Sequence, residues 1–90
     1  MRLIKFWKKD CSPCTQLTNI LRKELPKYEV ELVEIDAEHS AELVSKYNVT
    51  TLPMLFVEDD YGNVIASKRG VTYTPRFLAD NLVQRDLHKE

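Results

Sequence analysis

The chain has 90 residues, of which thirteen are basic and fourteen acidic, so its net charge is −1. A balance this close to neutral provides no basic surface for a nucleic acid and no polybasic membrane anchor. No apolar run approaches the roughly 20 residues of a membrane-spanning helix, and the N-terminus lacks the apolar segment and cleavage site of a signal peptide. We therefore expect one domain over residues 1–90, monomeric, that contacts neither nucleic acid nor membrane.

The first predicted elements are a strand and a helix. Residues 2–7 are apolar on both faces apart from Lys5, which is typical of a central strand in a covered sheet. Ser12 can cap the helix that follows, and Pro13 suits its first position. Apolar residues at helical spacing continue until Pro26, which ends the helix.

The rest of the chain alternates in the same way, giving the order β-α-β-α-β-β-α. The remaining predicted elements are strands at 28–36, 54–57 and 64–68, a helix at 38–47, and a helix from Thr74 to about Arg85. We expect the first three strands to be parallel and the hairpin at 59–63 to add one antiparallel edge strand. The fold class is α/β, a four-stranded mixed sheet with helices on both faces, and residues 87–90 are expected to fray.

The only two cysteines, Cys11 and Cys14, lie between the first strand and the first helix. Two cysteines are too few for a disulfide scaffold, and a pair this close closes too short a loop to stabilise a fold strongly. In a reducing compartment such a pair is usually catalytic, redox-sensing or metal-binding. Without an export signal, we expect that compartment to be the cytoplasm.

The position of this pair favours reversible thiol–disulfide exchange. Thiolates attack disulfides, and the amides and dipole of a helix N-terminus lower a thiol pKa. Lys8 and Lys9 add positive potential, whereas Asp10 opposes it. We expect Cys11 to be the exposed nucleophile and Cys14, one turn later, to be the more buried resolving thiol.

Three other interpretations of the pair remain. Zinc could be bound by Cys11, Cys14, His39 and His88, but their spacing fits no common zinc pattern, so no metal is predicted. The cysteines could form an inert structural disulfide, or could simply pack in a core. A Cys-x-x-Cys that follows a strand and opens a helix in a βαβ pattern favours redox chemistry instead.

Together with the cysteines, two further segments resemble the thioredoxin superfamily. Phe6-Trp7, followed by Cys11 and Cys14, resembles the thioredoxin strand and active-site turn, and residues 33–36 resemble the end of the next strand. The resemblance covers nearly the whole chain and implies a thioredoxin-like protein-disulfide reductase. It also implies a redox-active Cys11–Cys14 disulfide with no bound cofactor, disulfide-containing protein substrates and a thioredoxin-reductase-type reductant.

Thr51-Leu52-Pro53 resembles the cis-proline loop of the superfamily, which faces the dithiol. The resemblance implies a cis peptide bond before Pro53 and a Leu52 backbone that pairs with an extended substrate segment. Gly70 lies where thioredoxins have a glycine near the substrate groove. A trans proline at the start of a strand is the alternative.

Several positions differ from the usual thioredoxin pattern. Asp10 and Ser12 replace the Trp and Gly around the first cysteine, and Leu32 replaces a lysine on the second strand. Lys5 replaces a buried aspartate; its ammonium cannot deprotonate Cys14, although it could stabilise a thiolate. We expect Lys5 instead to snorkel to the surface, so proton handling should differ from that of ordinary thioredoxins.

The sequence begins on its central strand, as in glutaredoxins and in the short glutaredoxin-like thioredoxins of prokaryotes and phages. Lys8 matches a glutathione-contact position of glutaredoxins and Thr51-x-Pro53 matches the glutaredoxin loop. Ser12-Pro13 and residues 70–73 do not match that family. A glutathione-based reductant therefore remains an alternative, as does a non-catalytic redox-sensing or binding module. Trp7 either shields the dithiol or is plain core.

Overall fold

A four-stranded mixed sheet forms the centre of the computed structural model, which describes residues 1–85. The order is β2-β1-β3-β4, with β1 in the interior as its apolar sequence predicts. The strands are β1 at Arg2–Trp7, β2 at Glu31–Asp36, β3 at Met54–Glu58 and β4 at Val64–Arg69. The predicted fraying of 87–90 lies outside the described residues.

Three helices cover the sheet: α1 at Ser12–Glu24, α2 at Ala41–Lys46 and α3 at Thr74–Asn81. Short 3-10 turns follow α1 at Leu25–Lys27 and precede α2 at Ala37–His39. Across residues 1–85, none of the helices has the length and hydropathy to cross a membrane.

Several predicted boundaries were too wide. The 3-10 turn that contains Pro26 delays the second strand, and Tyr28 forms a single bridge to Gln84 instead. The predicted helix at 38–47 is divided at Ser40, whose backbone is not helical. The last helix ends at Asn81 rather than near residue 85.

The prediction that the first three strands are parallel is wrong for β3. Strand β2 runs parallel to β1, but β3 runs antiparallel to both of its neighbours, β1 and β4. The physical reason is the length of α2: its six residues span about 9 Å, roughly half the length of a six-residue strand. A helix this short does not carry the chain back along the sheet, and β3 begins at the end where β2 finishes.

This topology brings four chain segments to one edge, which we call the dithiol end of the sheet. Trp7 pairs in register with Asp36, Phe6 with Met54, and Met54 with Arg69. The segments that follow Trp7, Asp36 and Arg69, and the segment that precedes Met54, therefore meet at this end.

The two faces of the sheet carry separate apolar clusters. Leu3, Leu55 and Val57 pack with residues of α1 and α3 on one face. On the other face, Phe6, Phe56 and Tyr47 form an aromatic group with ring centroids 5.1–5.7 Å apart, beside α2. Helices thus cover both faces, as predicted.

The start of α3 differs in detail from its prediction. Thr74 is the first helical residue rather than the cap, and Tyr73 precedes it with a left-handed φ of 64°. The buried Thr74 hydroxyl donates to the Val71 carbonyl at 2.5 Å. The predicted Thr-Pro start of the helix is therefore confirmed in place but not in its capping role.

Candidate active site: the Cys11–Cys14 dithiol

Cys11 and Cys14 are joined by a disulfide at the dithiol end, with their Cα atoms 5.2 Å apart. Cys11 is partly exposed, whereas Cys14 is 3% exposed beneath the first turn of α1. The expected difference in burial between the two sulfurs is confirmed. An attacking molecule can therefore reach Cys11 far more readily than Cys14.

Cys11 itself, not Ser12, is the N-cap of α1. Ser12 is the first helical residue and Pro13 the second, and both are exposed. The Cys14 amide donates to Cys11 Sγ at 3.3 Å, so the sulfur occupies the place of a capping oxygen. In the reduced protein, a Cys11 thiolate there would receive that N–H and the positive end of the helix dipole.

The loop before Cys11 carries exposed charges of both signs. Lys8, Lys9 and Asp10 are all exposed, and Asp10 has a left-handed φ of 55°. Trp7, just before them, is half-buried at the end of β1. The two lysines add positive potential near Cys11, and water screens all three charges.

The Thr51-Leu52-Pro53 loop has the expected cis peptide bond between Leu52 and Pro53. Pro53 is buried, and its carbonyl accepts from the Gly70 amide at 2.9 Å. Gly70 has a φ of 75°, a conformation that L side chains rarely adopt. This bond fixes the loop after β4 to the proline loop, at the dithiol end of the sheet.

A groove of about 350 Å³ runs beside this loop. Thr51, Leu52 and Lys8 form part of its wall, and Val44 and Val49 supply apolar surface. The groove therefore lies between the proline loop, the segment around α2 and Lys8, the first residue after β1.

Lys5 does not snorkel to the surface, so that expectation is wrong. Its side chain is 3% exposed, and its ammonium donates to Glu34 at 3.0 Å and to the Thr18 hydroxyl. The physical reason is that β1 is a central strand and α1 covers this face, so the side chain meets a carboxylate on β2 before it meets water. Leu32, another departure from the thioredoxin pattern, lines with Lys5 a groove between α1 and β2.

Three further groups at this end have shifted pKa values. His39 hydrogen-bonds Asp36 at 2.9 Å, which raises the pKa of the imidazole and lowers that of the carboxyl. Lys68 donates to the Gly70 carbonyl at 3.2 Å, and its partial burial lowers the pKa of its ammonium.

Sequence reasoning missed the partners of Lys5. Glu34 faces Lys5 across the parallel pair of strands, and Thr18 reaches it from α1. The signal was available: Lys5 and Glu34 each lie two residues before the last residue of their strand, Trp7 and Asp36, so aligning the strand ends places them opposite each other.

The described residues contain no cluster of three or more His, Cys, Asp or Glu side chains that could hold a metal ion. His39 pairs with Asp36 instead of approaching the cysteines, and His88, the other histidine of the zinc interpretation, lies outside the described part of the chain.

The fold and the paired cysteines at a helix start define a thiol–disulfide oxidoreductase. The sequence profile of the Thioredoxin family matches residues 1–82. A thioredoxin of Bacillus subtilis is 31% identical over 88 residues, covering 94% of this chain and 81% of that protein. Thioredoxin C-2 of Corynebacterium nephridii is 30% identical over 79 residues, covering 86% of this chain and 72% of that protein.

Solved structures agree. A Plasmodium falciparum thioredoxin superposes with a TM-score of 0.80 at 20% identity, covering 93% of this chain and 73% of that one, and so supports the fold. A Fasciola hepatica thioredoxin gives a TM-score of 0.70 at 27% identity, covering 88% and 74%. The chain belongs to the thioredoxin family. Its activity is that of a protein-disulfide reductase.

Proposed function

We propose that the chain reduces protein disulfides with Cys11 as nucleophile and Cys14 as resolving thiol. The difference in burial supports this order: Cys11 is partly exposed, and Cys14 is 3% exposed. The Cys11 thiolate attacks the substrate disulfide and releases one substrate thiol. Cys14 then attacks Cys11, which releases the second substrate thiol and leaves the Cys11–Cys14 disulfide.

The surroundings of the dithiol suggest the remaining roles. Leu52 and Pro53 would pair with an extended substrate segment in the groove beside them, and Gly70 would hold their loop in place. Ser12 and Pro13 are exposed in the first turn of α1 between the two cysteines, and the half-buried Trp7 ends the strand before them. These residues would shape the approach of substrate to Cys11.

Replacement of each cysteine tests the assignment. Cys11→Ser should abolish insulin reduction, and Cys14→Ser should trap a mixed disulfide between Cys11 and the substrate, visible by mass spectrometry. Ser67→Ala, on the exposed part of β4, is a control that should retain full activity. Full activity in Cys11→Ser would contradict the proposal, and no turnover in the unmodified protein would favour a non-catalytic redox-sensing module.

The reductant is proposed to be a thioredoxin-reductase-type protein, as family membership suggests. Glutathione is the second candidate, because Lys8 and Thr51 border one groove beside the proline loop. Reduction of the oxidised protein with reductase and NADPH, and separately with glutathione alone, distinguishes them. Rapid reduction by glutathione alone would overturn the first choice.

The chemistry of the cysteine pair supports a proposal for the cellular location and the oligomeric state. We propose that residues 1–90 act as one monomeric domain in the cytoplasm, where a reducing environment suits electron transfer to protein disulfides and cell redox homeostasis. The supporting observation is the lone, closely spaced cysteine pair. Cell fractionation tests the location, and sedimentation at several concentrations tests the monomer.

A further inference from the structure

An ion pair with one buried member lies beside α1, the helix that carries Cys14. Lys5 is among only three buried polar or charged side chains in residues 1–85, with Glu58 and Thr74. Its side chain is 3% exposed, whereas that of its partner Glu34 is 48% exposed. The pair therefore has its positive member inside the protein and its negative member at the solvent boundary.

Two hydrogen bonds connect this ammonium to the buried cysteine. Lys5 Nζ donates to Thr18 Oγ1. The Thr18 hydroxyl in turn donates to the Cys14 carbonyl at 3.1 Å. The ammonium is thus fixed beneath the turn of α1 that carries Cys14.

The other charged groups around this position do not cancel the ammonium. From β2 the facing charge is Glu34, and from α1 it is the exposed Arg22, which borders the same groove of about 390 Å³. The loop before Cys11 contributes the exposed Lys8, Lys9 and Asp10. The rest of the groove between α1 and β2 is lined mainly by apolar residues: Leu21, Leu25, Pro26, Val30 and Leu32. Water screens the outer carboxylate more than the inner ammonium, and the hydrogen bonds through Thr18 link Cys14 to the ammonium.

We propose that Lys5 is a positioning residue that stabilises the Cys14 thiolate, acting through Thr18 and through the field of its buried ammonium. This inference rests on the proposed resolving role of Cys14. In that step the Cys14 thiol gives its proton to solvent, and its thiolate attacks Cys11 Sγ of the mixed disulfide. The Cys11–Cys14 bond forms, the bond from Cys11 to the substrate breaks, and the substrate leaves as a thiolate that water protonates.

The two members of the pair should shift the Cys14 titration in opposite directions. Loss of the ammonium in Lys5→Met should raise the measured Cys14 pKa by about one unit, the size of a nearby-charge effect. Loss of the carboxylate in Glu34→Gln should lower that pKa, by less, because Glu34 is half-exposed. A purely structural role would not give opposite signs.

The titration is best followed by thiolate absorbance against pH in the Cys11→Ser background, where Cys14 is the single thiol. Arg2→Met is the matched control: Arg2 is a cation on the same strand, paired with Glu58 at the opposite end of β1, and its loss should leave the Cys14 pKa unchanged. Lys5→Arg keeps the positive charge, so the Cys14 pKa of this variant should stay close to that of the parent. Shifts of the same sign in Lys5→Met and Glu34→Gln, or no shift in either, would overturn the proposal.

Folding does not limit the test. If Lys5→Met fails to fold, Glu34→Gln decides alone: a lowered Cys14 pKa supports the proposal, and an unchanged one overturns it. Insulin reduction separates this inference from the proposed function. Insulin reduction that persists in Cys11→Ser would contradict the proposed function itself. Insulin reduction that depends on Cys11, together with an unchanged Cys14 pKa in Lys5→Met and Glu34→Gln, would contradict only the role of Lys5.

Discussion

Strand β1 carries two ion pairs that are built in opposite senses. At its start, Arg2 is 45% exposed and its partner Glu58 on β3 is 5% exposed. Three residues later, Lys5 is 3% exposed and its partner Glu34 on β2 is 48% exposed. One pair thus places a negative charge inside the protein, and the other places a positive charge there.

The difference matches what lies beside each pair. The buried Glu58 accepts from the Tyr47 hydroxyl at 2.6 Å and connects α2 to the sheet. The buried Lys5 is linked through Thr18 to the backbone carbonyl of Cys14, the residue that the proposed mechanism makes a thiolate. A buried ion pair costs desolvation that its own attraction only partly returns. Each pair instead holds the charge of its buried member, negative at Glu58 and positive at Lys5, at a fixed position in the protein.

Reversal of the buried charge gives the largest expected effect. Lys5→Glu would place a carboxylate in the interior opposite Glu34, with no cation to pair with it. We expect a loss of about 3–5 kcal/mol in the free energy of unfolding, the usual cost of an uncompensated buried charge. Urea denaturation of the reduced protein measures it.

The control for this reversal is the exchanged pair, Lys5→Glu with Glu34→Lys. It restores attraction between the strands and should recover much of the lost stability, while placing the wrong sign beneath Cys14. A double variant no more stable than Lys5→Glu alone would show that the two side chains do not act as a pair.

The sequence predicted most of this region, but not the burial of Lys5. The strand at 2–7, the helix start beside the cysteines and the cis bond before Pro53 were all anticipated, because short-range pattern and family resemblance determine them. The fate of Lys5 depended on Glu34 and Thr18, which come from other elements. Snorkelling is the reasonable expectation for a lone lysine, but the register of β1 with β2, which aligned strand ends also indicate, places Glu34 opposite it.

The direction of β3 and the cap of α1 were missed for a similar reason. Apolar runs predict that a strand exists, but its direction depends on how far the preceding helix carries the chain, and α2 has only six residues. Ser12 is a better capping residue than cysteine by general preference. The structure uses Cys11 instead, which places the sulfur rather than a hydroxyl on the helix amide.

Tyr47→Phe tests the other buried charge. It removes the hydrogen bond of 2.6 Å to Glu58 and leaves the aromatic packing with Phe6 and Phe56. Because hydrogen bonds to charged groups contribute about 1.5–3 kcal/mol, we expect a loss near the lower value in thermal or urea unfolding. Tyr61→Phe, at a side chain that is 89% exposed, is the control and should change nothing. An equal loss in both variants would refute the specific role of Glu58.

Acid should reduce the contribution of Glu58, the buried partner of Arg2, to the free energy of unfolding. The hydrogen bond from Tyr47, and then that from Arg2, lowers the pKa of Glu58. Its contribution is therefore present above the unfolded pKa of a glutamate and is lost as pH falls through the lower folded value. The difference in unfolding free energy between the parent and Glu58→Gln should shrink as pH falls below about 4. The effect is smaller than that of Tyr47→Phe, because a protonated Glu58 can still accept from Tyr47. A difference that stays constant from neutral to acid pH would contradict it.

The Asp36–His39 pair should give the smallest effect, because neither partner is buried. Their side chains are 30% and 76% exposed, so water and salt screen both charges. Asp36 raises the pKa of His39 through their hydrogen bond. The stabilisation is therefore fully present below the unfolded histidine pKa of about 6.5 and is lost as pH rises through the higher folded value. An NMR titration of the His39 ring should show a lower pKa in Asp36→Asn than in the parent. This difference between the two proteins should be smaller in high salt. A His39 pKa shift that salt left unchanged would contradict this prediction. It would show that exposure does not distinguish the Asp36–His39 pair from the two ion pairs of β1, and the comparison based on burial would fail.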